Sequence, residues 1–354
     1  MSLRFRQEIQ ALPRQAGVSQ DRGEPLVSPL ASPILVLGAP RSGTTWLAKI
    51  LDSHPAVLYR HEPDAILPPP AGLTKDQVPG LVERWVTERS ARTAGKRPFF
   101  PKSWQPAWAR GLRLGIAGAA GLCGHLPGPL RRLSELPIPD LATGPIARAI
   151  IKSIDWAEGA AVLAQALPDS RIILVLRHPC GQVSSVMRGN RQRYFDLKMA
   201  GTDMPFDEER AIRYAARNGT GASAFRNLSA AGQYAWSWRA FNEPAYAALA
   251  PMPNVLVVLY EALCARPETF ARRLLSFSGL SWSPQTQEFV RRSTSHRGSS
   301  GYYTVFRDAV AAADAWRSTM PPEDADAVRG VVSASPLARF WPDLTEGFRN
   351  GGIA

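Results

Sequence analysis

The run Ile34-Leu35-Val36-Leu37, followed at once by Gly38-Ala39-Pro40-Arg41-Ser42-Gly43-Thr44-Thr45-Trp46, constrains this chain more than any other stretch. Four consecutive apolar residues read as a buried strand. Two glycines enclosing Pro40 and Ser42 read as a tight loop, and Thr44 onward as a helix start. Strand, glycine loop and helix N-terminus together turn several backbone N–H groups toward one point, which is how a chain cradles a phosphate-like anion. The loop nevertheless departs from the nucleoside-triphosphatase pattern G-x-x-x-x-G-K-[ST]. The residue after Gly43 is Thr44, and the only cation inside the loop is Arg41.

Further compact apolar runs occur at Val57–Tyr59, Ala149–Lys152, Ile172–Leu176 and Val255–Leu259, and helical patterns follow them at Ala157–Leu167, Cys180–Met187, Gln233–Leu249 and Glu268–Phe277. Thr44–Leu51 is the helix after the first run. Repeated strand and helix units of this kind predict an α/β fold with a central parallel sheet covered by helices on both faces. Ligand-binding loops then lie at the strand C-termini. Between Pro63 and Pro145 the sequence changes character, with Pro68-Pro69-Pro70, an aromatic and basic piece from Lys96 to Arg110, and a glycine-alanine stretch. We expect an insertion at 63–145, partly helical at Lys75–Arg89, that lines or covers an acceptor cleft. Thr202–Phe225 and Ser293–Tyr303 read as loops. A single domain over residues 30–354 after a frayed leader at 1–29 fits this pattern.

The chain has 354 residues and a formal net charge of +12, which points to anionic partners without choosing among them. Cys123, Cys180 and Cys264 show no C-x-x-C spacing, so neither a disulfide framework nor a zinc cluster is indicated and no metal is expected. A reducing, cytoplasmic setting fits. The N-terminus lacks the apolar segment of a secretory signal, and the low-charge stretch Leu114–Pro127 is too short and too broken by glycine to span a membrane. Peripheral membrane contact stays open.

A second motif narrows the ligand. A magnesium-nucleotide enzyme with this loop needs an Asp at the end of a second strand, but the run Arg171–Leu176 ends in Arg177. In the segment Arg177-His178-Pro179-Cys180-Gly181-Gln182-Val183-Ser184-Ser185, Pro179 opens a helix that brings Ser185 back over the strand end. A guanidinium and a hydroxyl so placed suit a second anionic group. The two motifs, in this order, resemble the sulfotransferases that use 3′-phosphoadenosine 5′-phosphosulfate. The resemblance runs in patches from about Pro33 to Leu280. It implies a P-loop-like three-layer fold and transfer of a sulfuryl group to an acceptor hydroxyl on a glycan, lipid, secondary metabolite or tyrosine, with no nucleic-acid partner.

The resemblance also implies roles. Arg41, Ser42, Gly43, Thr44 and Thr45 would hold the phosphosulfate, and Arg177 with Ser185 the 3′-phosphate. Lys152 would sit near the leaving oxygen. Glu62, 21 residues after Arg41, is placed like the general base of tyrosylprotein and glycan sulfotransferases. Trp46 and Tyr260 resemble aromatics on the adenine side, although each also suits core packing. The histidine base of the aryl and steroid branch is missing, because Lys152-Ser153 is followed by Ile154. Asp155 is a second candidate base. Arg297, Arg307 and Arg317 are equal candidates to cover the 3′-phosphate. His54 reads as a helix C-terminal turn residue, and His61 as a neighbour that tunes Glu62 or faces solvent. Two other readings compete: a magnesium-dependent P-loop nucleotide kinase or NTPase, and a non-enzymatic basic protein that binds polyanions.

Overall fold

The structure, a computed structural model, describes residues 32–123, 136–154, 159–191, 207–294 and 308–345. Five strands form one sheet: β1 (Ile34–Leu37), β2 (Val57–His61), β3 (Arg148–Ser153), β4 (Arg171–Leu176) and β5 (Val255–Leu259). Their order is β2-β3-β1-β4-β5 and every pairing is parallel. The side chains of β1 alternate between two cores, as the period of a strand requires. Leu35 and Leu37 join Ile151, Leu174, Trp238 and Val328 on one face, while Ile34 and Val36 join Leu47, Ile150, Ile173 and Leu274 on the other. Helices therefore cover both faces, in agreement with the continuous apolar runs.

Register decides what the strand ends bring together. Val36 of β1 stands beside Lys152 of β3 and Ile173 of β4, so the loop after β1 emerges between the ends of these two neighbours. His61 of β2 stands beside Lys152, which carries the residue after β2 toward the same edge.

The segment between β2 and β3 is joined to this sheet by buried ionic ties. Arg60, fully buried, donates to the Val86 carbonyl at 2.7 Å and to Asp140 at 2.5 Å. Helix Val78–Thr87 places Val78, Leu81, Val82, Trp85 and Val86 in the first core. On the other face, Lys49 of the helix Thr44–Asp52 donates to Asp52 (2.7 Å) and to the carbonyls of Lys96 (2.8 Å) and Pro98 (3.1 Å). Lys102 reaches the same Asp52 carboxylate at 2.9 Å.

One expectation is corrected, and two features that the sequence left open are resolved. Thr202–Phe225 is not a loop over its described part, because helices Glu208–Arg217 and Ala222–Arg226 form there. The first buries only Ala211 and Ala215, and so thin an apolar stripe leaves little periodicity to read. The glycine-rich stretch forms the helix Ala109–Cys123, which buries Arg113 and leaves Leu112, Leu114 and Leu122 exposed. Tyr260 opens the helix Tyr260–Ala265 instead of ending β5. The leader and most of Ser293–Tyr303 lie outside the described residues.

Asp52 is the shared anion of two buried ammonium groups, so Asp52→Ala leaves both uncompensated. We expect it to lower the unfolding free energy by about 3–5 kcal/mol in urea titration; a loss below about 1 kcal/mol would show that the ties carry little.

Candidate active site

Gly38 and Gly43 shape the cradle by close approach. A Cβ at Gly38 would lie 2.7 Å from the Val175 carbonyl oxygen and 2.8 Å from the Ser42 hydroxyl. At Gly43 it would lie 2.3 Å from the Tyr260 ring, and the backbone there has φ near +97°. Glycine alone satisfies both demands. The helix Thr44–Asp52 has no side-chain cap and no acidic residue in its first turn. The first-turn N–H groups of a helix have no intrahelical acceptor, so this end is electropositive and open to an anion.

Two arginines close the β4 side of the loop. Arg41, at the uncommon φ of +69°, donates from Nε to the Ser185 hydroxyl at 3.1 Å. Arg177 donates to the Arg41 carbonyl at 2.9 Å and to the Ala312 carbonyl at 3.2 Å, and its guanidinium lies 4.6 Å from the Tyr260 ring centroid. Gly181 makes room for this, since a Cβ there would meet Arg177 Nε at 3.3 Å. The Arg177 Nε and the Ser42 hydroxyl are buried polar atoms with no hydrogen-bond partner. Trp46 packs edge-on to Tyr260 at 6.3 Å and donates to Ser293 at 3.1 Å. Arg41, Ser42, Gly43, Trp46, Arg177, Ser185 and Tyr260 thus surround one loop.

A second group lies on the β3 side. Glu62 follows β2 with φ near +51° and donates its N–H to the Lys152 carbonyl at 2.7 Å, and its side chain accepts from the Lys152 ammonium. Burial works against ionisation of Glu62, but the Lys152 charge and its hydrogen bond outweigh it and hold the carboxyl well below the usual carboxylate range. His61 Nε2 lies 3.6 Å from Glu62 Oε1, and its Nδ1 lies 2.7 Å from the Tyr59 hydroxyl. Burial pushes His61 well below its ordinary pKa in spite of the Glu62 charge, so the ring is neutral near pH 7. Asp64, two residues on, accepts from the Ser153 hydroxyl at 2.6 Å, while its Oδ1 is buried without a partner. Burial and the Glu62 charge outweigh that hydrogen bond and raise the Asp64 carboxyl to about 7.

The sequence singled out Glu62 and Lys152, 90 positions apart, and the structure joins them. Asp64, Tyr59 and Lys49 were not singled out, and no local pattern marks them. His54 accepts from the Ala56 N–H at 3.2 Å just after the helix Thr44–Asp52, as its turn reading requires. His61 is buried against Glu62 and does not face solvent. Arg317 is engaged by Asp314 and Asp343 at the surface, while Asp155, Arg297 and Arg307 lie outside the described residues. Among the described residues no cluster of His, Cys, Asp or Glu could hold a metal, and no helix is long and apolar enough to cross a membrane.

An acid whose folded pKa is raised stabilises the fold most below its unfolded pKa, and that contribution is lost as pH rises through the folded value. For Asp64 the window runs from about pH 4 to 7. We expect the unfolding free energy of the native protein to fall across this window relative to Asp64→Asn by up to about 4 kcal/mol. Parallel pH profiles for the two proteins in urea titrations would refute the assignment.

The sulfotransferase family model matches residues 33–284. Among solved structures, the chain is similar to the sulfotransferase domain of the curacin biosynthetic pathway (16% identity over 85% of this chain and 96% of that one, TM-score 0.41). It is also similar to the sulfotransferase domain of a Synechococcus olefin synthase (17%, 84% and 94%, TM-score 0.40) and to a mouse sulfotransferase complexed with PAP (14%, 89% and 89%, TM-score 0.42). No curated protein matches the sequence. With its parallel α/β sheet, its glycine loop between β1 and a helix, and a family match over well more than half its length, the chain belongs to the sulfotransferase family, enzymes that transfer a sulfuryl group.

Proposed function

We propose that the enzyme takes its sulfuryl group from 3′-phosphoadenosine 5′-phosphosulfate and passes it to an acceptor hydroxyl by in-line displacement with Glu62 as general base. The observation that carries this reading is the placement of two unlike groups on either side of one glycine loop. Arg41, Arg177 and Ser185 stand on the β4 side, and the Glu62–Lys152 pair on the β3 side. A donor with two separated anions needs the first, and an acceptor that loses a proton needs the second.

Arg41 and the N–H groups at the start of the helix Thr44–Asp52 hold the 5′-phosphosulfate. Arg177 and Ser185 hold the 3′-phosphate, and the buried Arg177 Nε and Ser42 hydroxyl offer unused hydrogen-bonding capacity beside them. Trp46 and Tyr260 flank the adenine side. The acceptor oxygen attacks sulfur, the bond from sulfur to the bridging oxygen breaks, and adenosine 3′,5′-bisphosphate leaves. Glu62 takes the acceptor proton. Its pairing with Lys152 keeps it ionised and weakly basic at rest. Phosphosulfate oxygens draw the ammonium toward the transferring group, where developing negative charge needs it, and Glu62 gains basicity when its proton is due. The acceptor cleft is assigned to the 63–145 insertion within a single 30–354 domain, with the hydroxyl on a glycan, lipid, secondary metabolite or tyrosine.

Glu62→Gln is expected to lower turnover of labelled donor by roughly 10²–10⁴-fold while adenosine 3′,5′-bisphosphate binds as tightly as before in calorimetry. Unchanged turnover would move the base to Asp155. Thermal denaturation separates this function from nucleotide phosphoryl transfer: adenosine 3′,5′-bisphosphate without magnesium should raise the midpoint, and stabilisation by ATP with Mg²⁺ alone would reject the donor assignment.

A further inference from the structure

A small cavity beside the candidate site has no part in the mechanism above. Lys49, Lys96, Lys102, Arg110 and Arg113 line it, with Asp52 as the one carboxylate among them. Its volume of about 20 Å³ admits one or two water-sized groups, which is the scale of the oxygens of a carboxylate, sulfate or phosphate. Of the lining cations, Lys49, Lys102 and Arg113 have buried side chains, and Asp52 is the one carboxylate that lines the cavity with them. Asp52 is shared by Lys49 and Lys102, whose remaining donors go to the carbonyls of Lys96, Pro98, Asp52 and His54. Asp140, behind them, is engaged by Arg60. Arg113, only 8% exposed, gives Nη2 to the Ala94 carbonyl at 2.9 Å, but its Nε is buried with no acceptor. Burial lowers the Lys49 ammonium to about 8 even with Asp52 beside it. Buried cations in excess of their counter-charges are costly, and an anion in the cavity offsets that cost through charge-assisted hydrogen bonds.

The cavity is close to the reaction centre. Tyr59 forms part of its wall, and the Tyr59 hydroxyl meets His61, which abuts Glu62. Lys96 lines the cavity, and its charge acts on both His61 and Glu62. Tyr59 and His61 thus connect the cavity wall to the carboxylate assigned to the acceptor hydroxyl.

We propose that the cavity receives an acidic group carried by the acceptor, so that the acceptor class is a hydroxyl compound with a carboxylate, sulfate or phosphate near the hydroxyl that is modified. This rests on the sulfuryl-transfer reading, and the same chemistry would also admit a free inorganic anion. The test therefore has a binding arm and a transfer arm. With adenosine 3′,5′-bisphosphate saturating, so that the anion sites of the donor loop are filled, sulfate is titrated by thermal denaturation. The native protein should be stabilised saturably. The Lys96→Gln, Arg110→Gln double variant, altered only at positions that are not fully buried, should bind sulfate at least tenfold more weakly, with each single variant intermediate.

In parallel, hydroxy acids and their primary amides are compared pairwise for binding and for label uptake from the donor. Acids should bind at least tenfold better than their amides, and the variant should lose that preference. Equal binding of acid and amide to the native protein, or a preference unchanged in the variant, would overturn the proposal. Sulfate binding without a preference for acids assigns the cavity to a free anion and also overturns it. Preferential binding of acids with no transfer of label supports the pocket and counts against the transfer reading.

Discussion

The missing side chains at Gly38 and Gly43 are the constraint on which the site depends. Where β1 ends, the chain passes within van der Waals contact of the Val175 carbonyl, and where the helix begins it passes under the Tyr260 ring. Only because both approaches are allowed does the helix Thr44–Asp52 start directly above β1, with its unpaired N–H groups at the sheet edge. The groups that face the loop come from the ends of the two strands beside β1, with Tyr260 contributed from the end of β5. The Tyr260 ring, resting on Gly43, in turn carries the Arg177 guanidinium on its other contacts, so one aromatic side chain couples the backbone of the loop to the cation beside it.

Charge is arranged with equal economy around Glu62. Four ionisable groups meet within a few residues of the ends of β2 and β3, and only two of them are fully charged near neutrality. The Lys152 ammonium and the Glu62 carboxylate form the ion pair, His61 is kept neutral by burial, and Asp64 is held near half protonation by burial and by the Glu62 charge. Two carboxylates two residues apart thus differ widely in acidity because one faces an ammonium and the other a hydroxyl. The left-handed backbone at Glu62, uncommon for a residue with a side chain, is what turns that carboxylate back over β3.

Much of this is legible in the sequence, and the boundary of legibility has a physical origin. β1, the loop and the following helix are found to within a residue, because a continuous apolar run and two glycines are local signals. Arg177 and Ser185 are legible as well, since helix periodicity relates them. Glu62 and Lys152 are distant in sequence and meet only through the pairing of β2 with β3; family resemblance pointed to each, and no spacing linked them. Asp64 gave no signal, because its character comes from burial and from Ser153, which is contributed by another strand. Lys49 is one charge on the helix Thr44–Asp52, and two of its three acceptors, the carbonyls of Lys96 and Pro98, come from an insertion with no recognisable pattern. The helices within Thr202–Phe225 were missed because alanine, not a large apolar residue, makes the buried stripe of Glu208–Arg217.

The way Lys49 holds the insertion has an evolutionary consequence. Lys49 contacts the insertion chiefly through two backbone carbonyls, those of Lys96 and Pro98. Backbone carbonyls are present whatever the residue type, so at these two points the sequence of the lobe is free to drift, whereas Lys102 and Asp140 hold it through their side chains. Arg41, Arg177 and Ser185 stand on the β4 side of β1 and make none of these contacts with the lobe. A lineage carrying this scaffold can rewrite the surface of one lobe while keeping the arrangement of side chains at the strand ends.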